Sequence, residues 1–496
     1  MSEVDVSSYE PIFYPESLAV IGASDNPLKF GGLFLKALFD HGYKGNIYPV
    51  NPRAGIIQGL QAYSAVESIP EPVDFAVITV PAPLVKDAVR GCVKKGVKGA
   101  EILSSGFREA GPEGASLEDE VARIAREGGL RLIGPNGFGL YTPEVGITLM
   151  PGVDFSRTPG PVGFFSQSGG GACDVAYSGR GRNVYFSVMV SYGNGMDIDA
   201  PELLRYFAAD DRTRIVGGYL EGVSDGRDFY EALRECAAKK PVVILKGGQT
   251  EAGNRGTLGH TGSMAGSVET WEAVMKSAGA VMARDSRDLV EMLMAFSSLD
   301  EFYGGGAGIL GGGGMRCVDG LDSASTYGFP VPELDEDSAD RIQAMLPPAG
   351  GRGANPVDLA NPVMSPAVIN PAMEILADRE DIEFLVIYQM LFYLLNEGRR
   401  YFEKTGEDSF RMEYHPEIIE KALDLRGKTG KPLIMVLPDL ASDPAHSYNE
   451  VGRIEARYQF TKNGVPCFDT GLQAFSVLRR VADYYATRRT RQRGED

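Results

Sequence analysis

Cysteine is scarce in this sequence: the 496 residues include five, and no two of them are closely paired. Disulfide scaffolds and cysteine-rich zinc sites depend on paired or closely spaced cysteines, so the pattern favours neither. Because disulfides persist in oxidising compartments, isolated cysteines indicate a reducing compartment. The five are Cys92, Cys173, Cys236, Cys317 and Cys467.

Long hydrophobic runs are also missing. The longest apolar stretch is Phe384–Leu395, which has 12 residues and includes the polar Gln389. A membrane-spanning helix needs about 20 residues, so we interpret this stretch as a buried strand or helix. The N-terminal segment is acidic and lacks the apolar core of a signal peptide. These absences predict a cytoplasmic protein with no membrane partner.

Positive charge is in deficit. Lysine and arginine total 49 against 67 aspartates and glutamates, which gives a net charge of −18. That balance disfavours a broad surface for nucleic acid or for an anionic membrane, although one local basic pocket is compatible with it. At roughly 150 residues per domain, the length predicts about three domains.

Short apolar runs alternate with helical patterns along nearly the whole chain. This alternation predicts parallel sheets with helices on both faces, which is an α/β architecture. A segment rich in proline and glycine, Thr142–Pro161, ends the first series, and the glycine clusters at Gly304–Gly306 and Gly311–Gly314 open the third. The three predicted domains cover residues 1–145, 158–300 and 301–485.

Each series has its own predicted strands. They are Leu18–Ile21, Asn46–Val50, Phe75–Val80, Gly99–Leu103 and Leu130–Ile133 in the first series, Val162–Ser166, Tyr185–Val190, Ile215–Leu220 and Val242–Lys246 in the second, and Gly308–Leu310, Phe384–Tyr388 and Pro432–Leu437 in the third. We expect helices between them, for example at Leu33–Asp40 and Leu84–Lys95.

The first strand runs into a turn of small residues, Gly22–Ser24, ahead of a helix that begins near Gly31. Such a turn lets backbone amides approach a pyrophosphate at a helix N-terminus, although the full G-x-G-x-x-G pattern is not present. NAD sites usually carry an acid after the second strand. Here Asn51–Arg53 carries a cation instead, which favours NADP or coenzyme A. The turns at Val80–Pro83 and Ser104–Phe107 consist largely of small, uncharged residues. They could line a groove for a long cofactor arm, and the alternative is that they are ordinary loops.

One histidine, His260, lies in a run of small residues that keeps its imidazole accessible, Gly259–Gly266. A neutral imidazole can attack phosphorus once its other ring nitrogen is oriented. Glu221, at the end of a strand, is the candidate orienting group, and Ser166–Gly171 offers free amides for a phosphoryl group where a strand enters a helix. Because parallel strands end at one edge of a sheet, we expect these three features to converge. The other histidines, His41, His415 and His446, are expected in a helix cap and in surface loops.

An ATP-binding motif is missing. The sequence has no G-x-x-x-x-G-K-[ST] pattern. Gly427–Thr429 comes nearest, but Ala422 stands where the leading glycine is required, and we interpret the segment as a turn before the strand at Pro432. If the chemistry uses ATP, the nucleotide site should lie on another chain.

Eight ordered segments resemble the NDP-forming acyl-CoA synthetases, the superfamily of succinyl-CoA synthetase and ADP-forming acetate–CoA ligase. The likeness is strong over residues 10–300, and residues 301–480 resemble the additional flavodoxin-like domain of the family through Asn355–Leu359. The eight segments are Ala19–Ser24, Gly45–Pro52, Val80–Ala82, Gly134–Gly137, Ser166–Gly169, Ser191–Asn194, Tyr219–Gly222 and Gly259–Gly262.

The resemblance implies a CoA-binding Rossmann domain followed by two flavodoxin-like parallel-sheet domains. It also implies that His260 takes phosphate from ATP and passes it to a carboxylic acid, after which the CoA thiol displaces phosphate. Glu221 matches the glutamate that holds the histidine, and the turn at Ser168, Gly169 and Gly170 matches the helix N-terminus that receives the phosphoryl group. The positions that match CoA contacts are Gly22, Ala23, Ser24, Lys29, Asn51, Pro52, Arg53, Pro81, Ser104, Ser105 and Asn136.

The ATP-grasp half of the single-chain family members is absent, so the resemblance implies an α-type subunit with an ATP-grasp β subunit, in an α2β2 or similar oligomer. ATP or GTP, with Mg²⁺, would bind on that partner, and no metal site is predicted on this chain. The small carboxylic acid is not identified. Gly259 replaces the serine often found before the histidine, and Gly170–Gly171 and Gly311–Gly314 are richer in glycine than usual.

Two other hypotheses remain open at this stage. The missing ATP motif is compatible with a regulatory subunit that binds CoA or acyl-CoA without turnover. The Rossmann-like start and Arg53 are compatible with an NADP-dependent oxidoreductase, although no acid or base for hydride transfer is evident.

Overall fold

A computed structural model gives the structure of the chain in two compact units. The first unit comprises residues 1–180 and 184–293, and the second comprises residues 181–183 and 294–496. The residues that the structure describes are 5–53, 55–148, 154–250, 252–253, 267–347, 350–360, 365–391, 404, 414–439, 444 and 447–493.

The first sheet of the first unit is parallel throughout. Its strands are β1 (Ser17–Ile21), β2 (Asn46–Val50), β5 (Phe75–Ile78), β6 (Gly99–Ile102) and β7 (Arg131–Ile133), with the short hairpin β3 (Ile56–Ile57) and β4 (Leu60–Gln61) beside them. The strand order is β2-β1-β5-β6-β7. The helices are α1 (Glu10–Phe13), α2 (Phe30–His41), α3 (Ala82–Lys95) and α4 (Pro112–Glu127).

Helices cover both faces of this sheet, and β1 shows why its sequence is a continuous apolar run. Leu18 and Val20 pack in one hydrophobic cluster with α2, while Ala19 and Ile21 pack in another with α3 and α4. All five positions of β1 are therefore buried. A strand that is buried on both faces carries apolar residues without alternation.

The second sheet also lies in the first unit. Its strands are β8 (Gly139–Tyr141), β9 (Val162–Ser166), β10 (Phe186–Ser191), β11 (Ile215–Leu220), β12 (Val242–Lys246) and β13 (Val281–Ala283), and its helices are α5 (Gly169–Arg180), α6 (Ala200–Ala209), α7 (Gly226–Lys239), α8 (Val268–Ala278) and α9 (Ser286–Ser298). The order is β13-β12-β11-β9-β10-β8. All pairs are parallel except β8, which joins β10 as an antiparallel edge strand.

The third sheet belongs to the second unit. Its strands are β14 (Ala307–Gly311), β15 (Val357–Asp358), β16 (Phe384–Tyr388), β17 (Leu433–Val436) and β18 (Cys467–Phe468), and the helices after α9 are α10 (Gly314–Thr326), α11 (Glu336–Gln343), α12 (Pro366–Ala377), α13 (Tyr414–Thr429), α14 (Ser447–Lys462) and α15 (Gly471–Arg493). The strand order is β15-β14-β16-β17-β18, and every pair is parallel.

The α/β fold class with three parallel-sheet series is confirmed, and the predicted strands agree with the observed ones to within about two residues. One local prediction was wrong. Gly427–Thr429 is not a turn but the last turn of α13, because its glycine is followed by residues that continue the helical hydrogen bonding. Among the described residues, no helix is both long enough and apolar enough to cross a membrane.

Candidate active site

The turn after β1 packs closely against the first turn of α2. Gly22 has a φ of +94°, and a Cβ on it would lie 2.7 Å from Thr79 Oγ1. A Cβ on Gly31, in the first turn of α2, would lie 2.1 Å from the carbonyl oxygen of Gly22. Side chains are therefore excluded at both positions. The N–H groups of Phe30 and Gly31, at the start of α2, lie at the carboxyl edge of the first sheet, whereas those of Gly32 and Leu33 donate to the carbonyl oxygen of Lys29 at 2.9 Å.

Asn51 holds this turn in shape. Its Nδ2 donates to the carbonyl oxygen of Ala23 at 2.9 Å, and its Oδ1 accepts the backbone N–H of Arg53 at 2.9 Å. Ser24 Oγ accepts the backbone N–H of Asn26 at 3.1 Å. The side chain of Asn51 therefore forms the wall of the turn, and the prediction that it contacts CoA stays a prediction.

Other predicted contact residues lie at the ends of the neighbouring strands. The Ser104 hydroxyl, after β6, donates to the carbonyl oxygen of Val80, after β5, so this side chain fixes one loop to the next. Ser105, Pro81 and Pro52 are exposed at this edge. The carboxyl ends of β5 and β6 thus present small, uncharged surfaces next to the turn.

Two cations lie beside the turn. Lys29 precedes α2, and Arg53 follows β2; both are exposed. Within the described part of the chain, neither side chain has an ion pair or a hydrogen bond. Unpaired cations at the end of a dinucleotide-type groove are suited to phosphate groups.

Residues 134–139, which we call the bridging segment, connect the carboxyl edges of the first two sheets. The backbone N–H of Asn136 donates to the carbonyl oxygen of Ser104 at 3.1 Å. The backbone N–H of Phe138 donates to Ser191 Oγ, at the end of β10, at 3.0 Å. Asn136 has a φ of +59° and is exposed. Asn136 therefore lies between the predicted CoA groove and the second sheet.

Asn194 attaches the loop after β10 to the first sheet. Its Nδ2 donates to Glu109 Oε2 at 2.6 Å and to Glu118 Oε2 at 2.9 Å. Glu118 is 3% exposed and also accepts Arg108 Nε at 2.9 Å. The segment Ser191–Asn194, which carried part of the sequence resemblance, therefore joins the two sheets.

A buried carboxyl supports the bridging segment from below. Glu101, on β6, is 1% exposed, and its Oε2 accepts the backbone N–H of Leu140 at 2.9 Å. A Cβ on Gly139 would lie 1.7 Å from that oxygen, so only glycine fits. Burial raises the pKa of Glu101 to about 8, and the Leu140 hydrogen bond opposes the shift.

The N-terminus of α5 forms a compact turn at the end of β9. Ser168 Oγ accepts the backbone N–H of Gly171 at 3.1 Å, and Ser166 Oγ accepts the backbone N–H of Ser168 at 3.1 Å. A Cβ on Gly169 would lie 2.7 Å from the Phe138 ring, whereas one on Gly170 would meet open space. The turn is thus packed on one side and open on the other, where first-turn amides are suited to an anion.

Gln167 joins this turn to Glu221. Its Oε1 accepts the backbone N–H of Glu221 and, at 3.1 Å, that of Gly222. Glu221 directly follows β11, the neighbour of β9 in the sheet. Two of the three features expected to converge are therefore adjacent at one edge. Sequence reasoning missed Gln167, although its position between two predicted phosphate-site serines was a usable signal.

The Glu221 carboxylate has two neighbours that the sequence did not single out. Tyr219 donates its hydroxyl to Glu221 Oε1 at 3.3 Å, and burial, with the charge of Glu221, raises the pKa of Tyr219 to about 12. Lys246, the last residue of β12, is 1% exposed. Burial lowers the pKa of Lys246, and the charge of Glu221 opposes that shift. The sequence carried a sign of this neighbour, because Lys246 is a charged residue at the end of an otherwise apolar predicted strand.

The predicted nucleophile His260 lies outside the described residues, as do its glycine-rich neighbours. Among the other histidines, His41 is the last residue of α2 and is buried, with its Nε2 unpaired. No group of histidine, cysteine, aspartate and glutamate side chains that could hold a metal ion occurs among the residues that were placed.

Two family models match the first unit. One is described as a CoA binding domain and matches residues 16–143. The other is described as a succinyl-CoA ligase like flavodoxin domain and matches residues 159–296. The first match favours CoA over NADP as the ligand of the first sheet.

Curated relatives cover more of the chain. The chain is 38% identical over 389 residues to the α subunit of acetate–CoA ligase [ADP-forming] I from Pyrococcus furiosus, covering 77% of this chain and 83% of that protein. It is 35% identical over 380 residues to acetate–CoA ligase [ADP-forming] I from Archaeoglobus fulgidus. That match covers 76% of this chain and 54% of the relative, so the chain spans about half the length of this second protein.

A solved structure resembles the whole chain. It is the dinucleotide forming acetyl-coenzyme A synthetase 1 of Ca. Korarchaeum cryptofilum in complex with phosphate and ADP. The TM-score is 0.79, the sequence identity is 28%, and 97% of each chain is covered. The fold, a CoA-binding domain followed by flavodoxin-like domains, is thus shared over nearly the full length.

Proposed function

Since the chain belongs to the family of ADP-forming acetate–CoA ligase α subunits, we propose that it makes an acyl-CoA from a carboxylic acid, CoA and ATP through a phosphorylated His260. The chain is an acid–CoA ligase. Its relatives are named as ligase subunits, which does not favour the alternative of a regulatory subunit without turnover. The phosphorylated residue and the roles of its neighbours are the proposal.

The observation that carries the proposal is the bridge made by Gln167. Through it the N-terminus of α5 and Glu221 are neighbours at the carboxyl edge of the second sheet. A phosphohistidine needs both: an anion site for the phosphoryl group and an acceptor for the second ring nitrogen. Ser168, Gly169 and Gly170 supply the first, and Glu221 supplies the second.

The proposed chemistry has three phosphoryl or acyl transfers. The His260 imidazole takes the γ-phosphoryl group of ATP, and ADP leaves. A carboxylate oxygen of the acid then attacks that phosphorus, which frees the imidazole and forms an acyl phosphate. Finally the CoA sulfur attacks the carbonyl carbon; the C–S bond forms, the C–O bond to phosphate breaks, and phosphate leaves with the electron pair while the thiol loses its proton.

CoA would lie along the carboxyl edge of the first sheet. The turn at Gly22, Ala23 and Ser24 suits the pyrophosphate, because it leads to the N-terminus of α2, where the helix does not use the N–H groups of Phe30 and Gly31. Lys29 and Arg53 suit the remaining phosphate. The thiol end would pass Pro81, Ser104 and Ser105 towards Asn136 on the bridging segment, which leads to the N-terminus of α5. What supports this path is that Pro81, Ser105 and Asn136 are exposed along it and that Gly22, Ser24 and Ser104 are partly exposed, whereas Ala23 is buried.

ATP or GTP, with Mg²⁺, would bind on a separate ATP-grasp β subunit, in an α2β2 or similar assembly. The support is that some relatives are named as α subunits, whereas others are longer single chains of which this chain covers about half. The domain boundaries at residues 145, 158 and 301, and the cytoplasmic location, are parts of the same proposal.

The test uses the complex that this chain forms in its native host. After incubation with MgATP at neutral pH, intact-mass measurement should detect one acid-labile phosphoryl group on this chain. The His260→Asn variant should lose that group and the ligase turnover while it still binds CoA. Substantial turnover in that variant would refute the mechanism.

A further inference from the structure

A cleft of about 750 Å³ opens in the first unit beside the proposed phosphoryl site. One wall is α4, and the other is the segment that leads from β10 into α6. Gln167 and Gly222 line its inner end. The hydrogen bond between these two residues is the one that fixes the turn of α5 next to Glu221, so the cleft begins where the phosphoryl group is proposed to lie.

The cleft extends away from the proposed CoA path. Of the residues assigned to CoA, from Gly22 to Asn136, none lines it. Tyr192, Met196 and Val223 are among the apolar and aromatic residues that line it. Burial raises the pKa of Tyr192, and the charges of Asp199 and Glu221 raise it further, so this phenol stays protonated between the site and the cleft.

Most of the charged groups that line the cleft are held in ion pairs. Arg108 contacts Glu118 and Asp119 at 2.9 Å and 2.6 Å, and Arg123 contacts Glu127 at 2.8 Å. Arg126 lies eight positions beyond Glu118 on α4, about 12 Å along the helix at 1.5 Å per residue. That direction leads away from the carboxyl edge.

Two aspartates, Asp197 and Asp199, also line the cleft. Asp197 is held by Arg131 at 2.9 Å, and Asp199 caps the start of α6. Burial raises the pKa of Asp199 to about 6, so it is mostly charged at neutral pH. The cleft therefore offers apolar surface, the Tyr192 phenol and the negative charge of Asp199. This combination disfavours a dicarboxylic acid, because its second carboxylate would be repelled.

The geometry of an acyl phosphate determines what this cleft can hold. Its carbonyl carbon bears the phosphate oxygen, the carbonyl oxygen and the carbon chain of the acid. With phosphate at the N-terminus of α5 and the thiol arriving along the first sheet, the carbon chain must take the remaining direction. Gln167 and Gly222 place the inner end of the cleft in that direction.

On the premise of the proposed ligase function, we propose that this cleft is the acyl pocket and that the preferred acid is a monocarboxylate with a bulky apolar or aromatic chain. Pockets of 300–1,000 Å³ are typical for ligands of drug size, and a methyl group would leave this one almost empty. Val223 and Met196 are then specificity-determining residues, because they flank the first carbons of the chain.

The test compares acids with the complete native complex. The acids are acetate, 3-phenylpropanoate and succinate, and the readout is kcat/KM for each. We expect 3-phenylpropanoate to be preferred over acetate and succinate to be the poorest. Val223→Phe fills the inner end, so the preference for 3-phenylpropanoate over acetate should fall by at least about tenfold. Val451→Phe, the same change at an exposed residue of the second unit, is the matched control and should keep the preference.

The outcomes separate the two proposals. Turnover of acetate with no preference for the larger acid, and no change in selectivity in Val223→Phe, would overturn the acyl pocket and leave the ligase function intact. A rise in the KM for CoA in Val223→Phe, with both acids affected equally, would also overturn it, since the cleft would then hold the CoA arm. Absence of turnover with every acid, together with absence of a phosphorylated His260, would refute the ligase mechanism itself.

Discussion

The Oε1 atom of Gln167 accepts the backbone N–H of Glu221, across neighbouring strands of the second sheet. One amide side chain thereby sets the distance between an anion-binding helix N-terminus and a carboxylate. Since phosphoryl transfer through histidine depends on both groups at once, the position of Gln167 is a requirement for the proposed chemistry although it does not itself react.

Removal of this bridge should impair phosphoryl transfer without affecting CoA. In Gln167→Ala the N–H groups of Glu221 and Gly222 lose their acceptor, so we expect kcat for acyl-CoA formation to fall by about ten- to a hundredfold. The Kd for CoA, measured by calorimetry, should stay unchanged. Gln167→Glu keeps an acceptor at the same position and should recover part of the rate; equal losses in both variants would contradict a positioning role.

The buried lysine beside Glu221 should support phosphoryl transfer. Lys246→Met removes a positive charge that acts on the Glu221 carboxylate, together with a hydrogen bond to the carbonyl oxygen of Gly247, so we expect the phosphorylation rate to fall by about tenfold. Tyr219→Phe, which removes only a hydrogen bond to Glu221, should lower the rate by a smaller factor. The single-turnover rate of phosphorylation measures both effects, and an unchanged rate in Lys246→Met would contradict the electrostatic contribution.

Glu101 should make the fold less stable as pH rises. Its pKa in the folded chain is raised to about 8, so the protonated form is favoured there. Its stabilising contribution is complete below the unfolded pKa, near 4.5, and is lost as pH rises through 8. Glu101→Gln keeps an oxygen for the Leu140 N–H and should remove this dependence, by an amount on the order of a few kcal/mol. Urea unfolding at pH 5 and pH 8.5 measures it; equal pH dependence in both proteins would contradict the prediction.

Two adjacent glycines at the start of α5 should respond differently to alanine. Gly169→Ala places a methyl group 2.7 Å from the Phe138 ring and should lower the free energy of unfolding by about 1–3 kcal/mol. Gly170→Ala meets open space and should be neutral or slightly stabilising, because alanine favours helix. Thermal unfolding of the two variants is a matched comparison, and similar Tm values would refute the close packing.

Arg53 should distinguish CoA from its analogue without the 3′-phosphate. The guanidinium is exposed and unpaired within the described residues, so it is free to bind that group. We expect Arg53→Ala to weaken CoA binding by about tenfold and dephospho-CoA binding by much less. Arg227→Ala, an exposed arginine on α7, is the control. Equal weakening for both ligands would show that Arg53 does not contact the phosphate.

The sequence predicted those parts of the fold that are governed by burial. Strands such as β9 and β11 are continuous apolar runs because both faces are covered, and their predicted bounds match the observed ones. The strands β3, β4, β8, β13, β15 and β18 were missed, because runs of two or three residues carry no recognisable pattern of their own. Gly427–Thr429 was misassigned because glycine is tolerated at a helix end when the preceding residues form the helix.

The candidate site was predicted in its motifs but not in its connections. Ser168 and Glu221 could be located because a small turn and a charged strand end are visible in one dimension. Gln167 and Lys246 act across neighbouring strands that are remote in sequence, and Asn194 acts through Glu109 and through Glu118 on α4. Their identities alone, a glutamine, a lysine and an asparagine, are compatible with any polar loop, so only the three-dimensional fold reveals their partners.

Strand β8 follows the strands of the first sheet in sequence, but it pairs with β10 as the edge strand of the second sheet. Its partner β10 follows about fifty residues later, so during synthesis β8 emerges well before the strand that it pairs with. Until β10 is synthesised, β8 has no strand partner, although its Leu140 N–H can already bond the Glu101 carboxyl of the first sheet. The first sheet can therefore form before the second one is synthesised. A cut of the chain directly after the last strand of the first sheet would leave β8 with the second sheet, and a cut after β8 would remove an edge strand from the second sheet.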